Sequence, residues 1–434
     1  MTPDAEALLP TVAVLVAAEA AMSPLDIVRA AAGLARVVFI IDASEVQREP
    51  MLERLTRALA PTRVVNVSDT RAALAALDQL GAGVVLTFSD AYCGAVDRLR
   101  TALSGADDVC PGRWGKDIQR RRLLDAGLSS AEHRLIRTGP DLHAASDALG
   151  WPVVVKPIVG VASRDIWLLH GPDEVAAVLS EMERSGTPPS SFVAERFVAG
   201  LTPPHVRQRA DYVSVELFVG PQRTAALITD RPRLAPPCRE TGIIGPTALD
   251  HDLQEHLLRV ALAAHKALGL TTGAFHVELK IDDVGAEVIE VNGRLGGYVR
   301  RLVELGTGVD LGRTALACHL GVDPSFDQTW RHHVLGLLFQ PPREARIVAA
   351  SPRRVQIADL PGVVGVDHVA ATGSAVCWRV GSGGAAAKLW LVADTAAELE
   401  DRTSAVVRAL DGLFEFHDGH GRRVRDAEWL GQMS

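Results

Sequence analysis

At 434 residues the chain is long enough for about three domains of roughly 150 residues each, with material for substantial cores. Its net charge of −8 and the lack of a basic block argue against a nucleic-acid partner. The most apolar early run, residues 11–18, is too short to span a bilayer and follows Asp4 and Glu6, which argues against a membrane helix and a signal peptide.

Short apolar runs at 12–16, 37–41, 64–67 and 84–88, separated by alanine-rich helical stretches, have the βαβ rhythm of a parallel sheet. No G-x-G-x-x-G follows the first of them, and Gly81 with Gly83 reads as a helix stop. Gly115, Lys116 and Asp117 open a helix that runs to about Gly127. This is not a Walker loop, because Cys110 holds the first glycine position and Asp117 replaces the Ser or Thr. Residues 151–157 predict a buried strand carrying Lys156, whose ammonium needs either solvent or an anion. The following loop, 159–165, either presents the N–H groups of Gly160, Ala162 and Ser163 to a phosphate or forms a plain hairpin before the strand 166–169. Residues 191–198 and 211–216 read as strands joined through a proline-containing linker. A proline- and arginine-rich loop over 230–246 separates the strand 224–229 from the helix 249–268.

The stretch 273–297 carries the chemistry. His276, Glu278, Lys280 and Asp282 alternate with Val277, Leu279 and Ile281, as Val288, Glu290 and Asn292 do with Ile289 and Val291. Asp283, Val284 and Gly285 have the composition of a three-residue turn with glycine at the left-handed position. Centring the hairpin on Val284 sets Glu278 against Glu290, His276 against Asn292 and Leu279 against Ile289. Two carboxylates about 5 Å apart repel by about 3 kcal/mol at an effective dielectric of about 20. Either a shared proton or a hard cation offsets this, and two carboxylates with the Asn292 amide suit Mg²⁺. Further on, runs at 376–380 and 388–392 flank Gly381-Ser382-Gly383-Gly384 as a hairpin, and 395–410 has helical period. His332 and His333 would point to opposite faces of a strand and make a poor metal pair. No CxxC, HExxH or GxSxG pattern occurs.

HVELK at 276–280, VIEVNGRLGG at 288–297 and RLVELGTGVDL at 301–311 resemble the metal-binding end of the ATP-grasp superfamily, in particular its carboxylate-amine ligases of the L-amino-acid ligase type. Gly293 departs from the usual proline. The resemblance implies an α/β (α+β) ATP-grasp fold: a Rossmann-like N-terminal domain over 1–110, a small grasp subdomain with linker over 111–200, a large subdomain with the metal site over 201–330, and a small C-terminal lobe over 331–434. It implies that Glu278, Glu290 and Asn292 hold Mg²⁺, two ions with Mn²⁺ as a substitute, against the phosphates of ATP. Lys116, Lys156 and Ser163 would meet those phosphates. Phe197 and Val198 would meet adenine with Glu195 nearby, and Asp211 the ribose. Glu216, Arg239, His276, Gly296 and Gly297 fall on the substrate side, with Glu240 beside Arg239 in the 230–246 loop. Arg294 and Lys156 would be catalytic, Arg294 contacting the transferring phosphoryl group or the substrate carboxylate.

The implied reaction is ATP-dependent amide formation between a small carboxylic acid, an amino acid or a relative, and an amino acid, through an acyl phosphate. A bicarbonate-activating carboxylase and a non-catalytic ATP-binding module are the alternatives. Three further departures concern the loop 159–165, which has one glycine where relatives carry several, the long stretch 203–210, and Ile243, which stands where relatives often have histidine. Five scattered cysteines, an odd number, predict reduced thiols in a cytoplasmic protein, for which a homodimer is an open assembly.

Overall fold

A computed structural model describes residues 9–105, 110–160, 162–202, 209–282 and 285–425. Strands β1 (Thr11–Val16), β2 (Arg36–Asp42), β3 (Thr62–Val65) and β4 (Val84–Thr87) form a parallel sheet in the order β3-β2-β1-β4. Every residue of β1 is buried, as a strand covered on both faces requires, which is why its sequence is a continuous apolar run.

A second, antiparallel sheet, ordered β5-β8-β6-β7, contains β5 (His133–Leu135), β6 (Val153–Pro157), β7 (Trp167–Leu169) and β8 (Phe192–Arg196). Val153, Val155, Trp167, Leu169, Phe192 and Ala194 alternate inward to make its core.

The largest sheet is antiparallel throughout and runs β13-β12-β9-β10-β11-β14-β17-β16. Its strands are β9 (Arg209–Val219), β10 (Thr224–Pro232), β11 (Gly242–Gly245), β12 (Gly273–Ile281), β13 (Ala286–Asn292), β14 (His333–Phe339), β16 (Val363–Val369) and β17 (Ala387–Ala393). A three-stranded sheet of β15 (Ile347–Ala350), β18 (Glu415–His417) and β19 (Arg423–Val424) completes the chain. The helices Val299–Thr307 and Leu311–His319 bury Leu302, Val303, Leu311 and Ala315 in one cluster with Val12, Val14 and Phe39 of the parallel sheet and Trp390 of β17. Burying each such side chain stabilises by about 1.5–3 kcal/mol, so the N-terminal sheet is docked on the large sheet through these helices.

Three sequence expectations change. The 230–246 segment is not one loop. β10 extends to Pro232, and β11, with Ile243 fully buried, lies inside the large sheet, so only 233–241 connects them. The glycine run 381–384 is not a hairpin turn: Trp378–Gly384 is a short 3₁₀ segment, and β17 pairs with β14 and β16.

The third change lies in the β12–β13 hairpin. His276↔Asn292 and Glu278↔Glu290 pair as predicted, but the register then shifts so that Leu279 faces Val288 rather than Ile289. This bulge turns Val288 into the core beside Val291 and leaves Ile289 on the cleft wall. Arg120 donates to the carbonyls of Val288 (2.7 Å) and Ile289 (2.9 Å) that the bulge releases. Gly285 has φ 151°, outside the left-handed helical well, and its N–H donates to Asp282. Asp283 and Val284 of the predicted turn lie outside the described residues.

Candidate active site

A cleft of about 1330 Å³ is walled by β6–β8 on one side and by β9, β12 and β13 on the other, with the N-terminal domain and the β16–β17 region closing its ends. This exceeds the roughly 300–1,000 Å³ of a single small-ligand pocket, so two ligands fit side by side. Of the residues singled out from sequence, Lys116, Lys156, Ser163, Glu195, Phe197, Val198, Asp211, His276, Glu278, Glu290, Asn292, Arg294 and Gly297 all line it. Glu216, Arg239 and Gly296 do not.

On the hairpin, the two opposed acids meet cations of the protein itself. Lys116, which opens the helix Lys116–Asp125, donates to Glu290 Oε2 at 2.5 Å, and His276 Nε2 lies 3.4 Å from Glu278 Oε1. Burial pushes the Glu278 carboxyl up, but the hydrogen bond and charge of His276 outweigh it and hold the carboxyl at about 2. Burial likewise opposes charge on His276, yet Glu216 more than offsets this and lifts the imidazole to about 9. Glu278 is therefore an ionised carboxylate, which disfavours the shared-proton solution.

The end of the Asn292 amide approaches Glu290 Oε1 (2.9 Å) and Asp90 Oδ1 (3.2 Å), and its nitrogen, turned toward them, donates to both. Turned the other way, the amide adds a third oxygen to this group. An all-oxygen donor set of two carboxylates and an amide fits a hard cation that keeps other positions for water and phosphate. Among the described residues there is no cluster of three or more His, Cys, Asp and Glu with metal-site geometry, so a divalent ion would rest on the amide and on ligands from outside the protein as much as on the acids.

Glu216 sits beneath this face, wholly buried. It accepts from His276 Nδ1 and from the Gly296 N–H (2.8 Å), so both Glu216 and Gly296 support the floor of the cleft rather than face it. Arg239 is also turned away. It is 1% exposed and donates to the carbonyls of Pro236 and Pro341, tying the 233–241 loop to the chain after β14. The cleft side of that region is formed by Glu240 and by Arg231, whose guanidinium reaches Glu240 (3.3 Å) and the Ser214 hydroxyl. Burial pushes the Glu240 carboxyl up.

Across the cleft, Lys156 is buried as predicted but is not unpaired: Glu195 accepts from it at 2.7 Å and from Arg120 at 3.0 Å. Burial opposes the Glu195 charge, and the two cations overcome it and hold the carboxyl at about 2. Lys156 is itself shifted down, by burial first. One acid thus faces two cations, and a polyanion arriving here would relieve the excess. Toward the linker, Asp211 accepts from the Gly200 N–H (3.0 Å) and from Lys280 (2.5 Å), whose ammonium stands 5.4 Å from the Phe197 ring centre. Most of the long stretch before it, 203–208, lies outside the described residues.

Arg294 donates to Asp90 at the start of the helix Asp90–Ser104, and although burial disfavours its charge, Asp90 keeps the guanidinium firmly protonated. The N-terminal domain thereby completes the site. Asp90, Arg120 and Arg231 were not legible as site residues, because each looks like an ordinary surface charge until a distant element is packed against it. Gly293, the departure from proline, has a reason: a Cβ there would stand 2.5 Å from the ring of Trp114, which is fixed by its hydrogen bond to Asp97 (2.6 Å).

Comparison with known proteins bears on the domain and on the fold. Residues 149–301 match the model of the ATP-grasp domain. The chain is 25% identical over 197 residues to an alanine–anticapsin ligase of Bacillus subtilis, covering 42% of this chain and 41% of that protein. It is 36% identical over 113 residues to carnosine synthase 1 of Gallus gallus, covering 26% of this chain and 12% of that protein. The chain therefore spans less than half the length of either relative. Its fold overlays the L-amino acid ligase of Bacillus licheniformis with a TM-score of 0.69 at 18% identity, covering 94% of this chain and 98% of that one. Residues 149–301 are thus similar to an ATP-grasp domain, and the chain as a whole shares the fold of the L-amino acid ligase.

Proposed function

We propose that the chain is an ATP-dependent carboxylate-amine ligase that joins an amino acid, or a related carboxylic acid, to an amino acid. The observation that carries this reading is the opposition of Glu278 and Glu290 on the cleft face, with Lys116, Lys156 and Arg294 lining the same cavity. Glu278, Glu290 and Asn292 would hold Mg²⁺, one or two ions with Mn²⁺ as a substitute, which when bound supplies positive charge against the phosphates. Lys116 and Lys156 hold phosphate oxygens, and Phe197 and Val198 flank the base with Asp211 toward the ribose. Arg294, kept charged by Asp90, steadies the oxygens of the phosphoryl group in flight.

A carboxylate oxygen of the first substrate attacks the γ-phosphorus and ADP leaves, giving an acyl phosphate. The amine of the second attacks the acyl carbon, loses a proton and expels phosphate, leaving an amide. Enclosure between the two antiparallel sheets limits the competing attack by water. The cytoplasm is the compartment that fits this chemistry and the buried free thiols Cys93 and Cys318. No helix among the described residues is long and apolar enough to cross a membrane.

The test is ADP release with MgATP across pairs of amino acids and small acids, with bicarbonate as a separate arm. Turnover that needs both an acid and an amine supports the ligase; turnover with bicarbonate alone overturns it in favour of a carboxylase. Glu290→Gln should lower kcat by about 10²–10³-fold with the circular dichroism unchanged, and full activity in that variant would displace the metal assignment.

A further inference from the structure

β17 is a central strand, paired to β14 on one side and β16 on the other. Its residues alternate as a strand demands: Leu389 and Leu391 enter the core under the helix Ala396–Leu413, whereas Trp390 enters the core that faces the helix Val299–Thr307. Lys388, two positions from Trp390 in the strand repeat, falls on the Trp390 side, and both line the cleft. A lysine on the inner face of a central strand is unusual, because half-burying an ammonium costs free energy unless an anion answers it.

Among the described residues none does. The Lys388 ammonium donates to the Tyr298 hydroxyl at 3.1 Å, with the Tyr298 ring centre 5.7 Å away. The acid of the neighbouring strand, Asp367, accepts from Trp390 Nε1 at 2.8 Å. Of the other cations here, Arg294 is answered by Asp90 and Arg300 by Asp26, Glu304 and Asp310, while Arg343 stands 5.2 Å from the Trp378 ring centre and Arg346 donates to the carbonyls of Arg343 and Ala345. Among the described residues Lys388 has no carboxylate within ion-pairing distance. Tyr298 follows the Arg294–Gly297 turn directly, so its hydroxyl ties Lys388 to the segment that leads out of the proposed phosphoryl-transfer centre.

We propose that Lys388, with the Tyr298 hydroxyl, grips the free carboxylate of the amine-bearing substrate and so selects an α-amino acid rather than a simple amine as acceptor. This rests on the ligase reading and narrows it. The bond-making explains why the anion belongs to the acceptor. The donor carboxylate is consumed in the acyl phosphate and then in the amide, and the nucleotide phosphates have Lys116 and Lys156; the acceptor carboxylate alone stays charged from binding to product. A single charge-assisted hydrogen bond to it is worth about 10- to 100-fold in binding.

The experiment compares kcat/KM for an acceptor amino acid and for its carboxamide, with the full chain, MgATP and a fixed donor. The wild type should favour the free acid by tens of fold. Lys388→Met should raise the acceptor KM by about 10- to 100-fold, shrink the acid-to-amide ratio toward one, and leave the KM values for ATP and donor in place. Tyr298→Phe, which removes only a hydroxyl, should shrink the ratio in the same direction by a smaller factor, and it decides the matter if the lysine variant does not fold. An unchanged ratio in the variants, or a matching rise in the KM for ATP, overturns the subsite while leaving the ligase intact. A wild type silent with every pair instead overturns the ligase reading and the subsite with it.

Discussion

A single buried carboxylate, Glu195, decides how much unbalanced positive charge the Lys156 end of the cleft carries. Lys156 and Arg120 both donate to one of its oxygens, while Oε1 has no partner among the described residues. Its folded value of about 2 against an ordinary 4.5 fixes the sign of the pH dependence. The stabilisation it supplies is complete above 4.5, where the unfolded chain is also ionised, and is lost as pH falls from there toward 2. Glu195→Gln leaves two buried cations without their acid, at a cost of about 3–5 kcal/mol. Urea unfolding should show the variant far less stable than wild type at pH 7, with the gap closing as pH is lowered through 4.5. A gap that held constant on acidification would mean that packing, not charge, is what Glu195 contributes.

Among elements, the segment 162–165 is held in place by another part of the chain. Ala162, Ser163 and Asp165 have φ of 59°, 55° and 53°, left-handed values that cost a non-glycine residue roughly 1–2 kcal/mol each. The Trp378–Gly384 segment maintains them. The Asp165 N–H donates to the Arg379 carbonyl (2.9 Å), the Ser382 N–H donates to the Ala162 carbonyl (2.9 Å), and the Arg379 guanidinium bridges Asp165 (2.6 Å) and Glu181 (2.9 Å). Gly381 packs so closely that a Cβ would lie 2.0 Å from the Ala162 oxygen. Gly381→Ala should therefore lift the clasp, raise the KM for ATP severalfold with a smaller effect on the acceptor, and speed limited proteolysis near Ser163; equal effects on both substrates would assign the clasp to general stability. This contact also marks the limit of what the sequence discloses. The pairing of Glu278 with Glu290 was legible because period-two alternation and a central turn are local signals. The bulge at Ile289 was not, since it depends on Arg120 of another element capping the released carbonyls. Gly381-Ser382-Gly383-Gly384 has the composition of a turn, but its glycines serve a distant backbone, and nothing nearby in sequence records that.

On the scale of the whole molecule, three bodies meet around one cleft, and ions tie them across it. Arg294 reaches Asp90, Arg300 reaches Asp26, and Arg164 of the 162–165 segment reaches Glu19. The first two are partly buried and weakly screened, whereas the exposed Arg164–Glu19 pair contributes little. Closure of the small sheet over the large one should thus rely on what fills the cleft. A ligand that binds only the folded chain stabilises it by mass action, by about 2.7 kcal/mol at a hundredfold excess over Kd. A non-hydrolysable ATP analogue should raise the Tm modestly alone, because Lys116 remains committed to Glu290. Adding Mg²⁺ should raise it further, since a cation on Glu278 and Glu290 releases Lys116 to the phosphates. In Glu290→Gln the nucleotide shift should persist while its dependence on Mg²⁺ disappears. A wild-type shift equal with and without the ion would separate nucleotide binding from the paired acids and return the hairpin's charge balance to Lys116 and His276 alone.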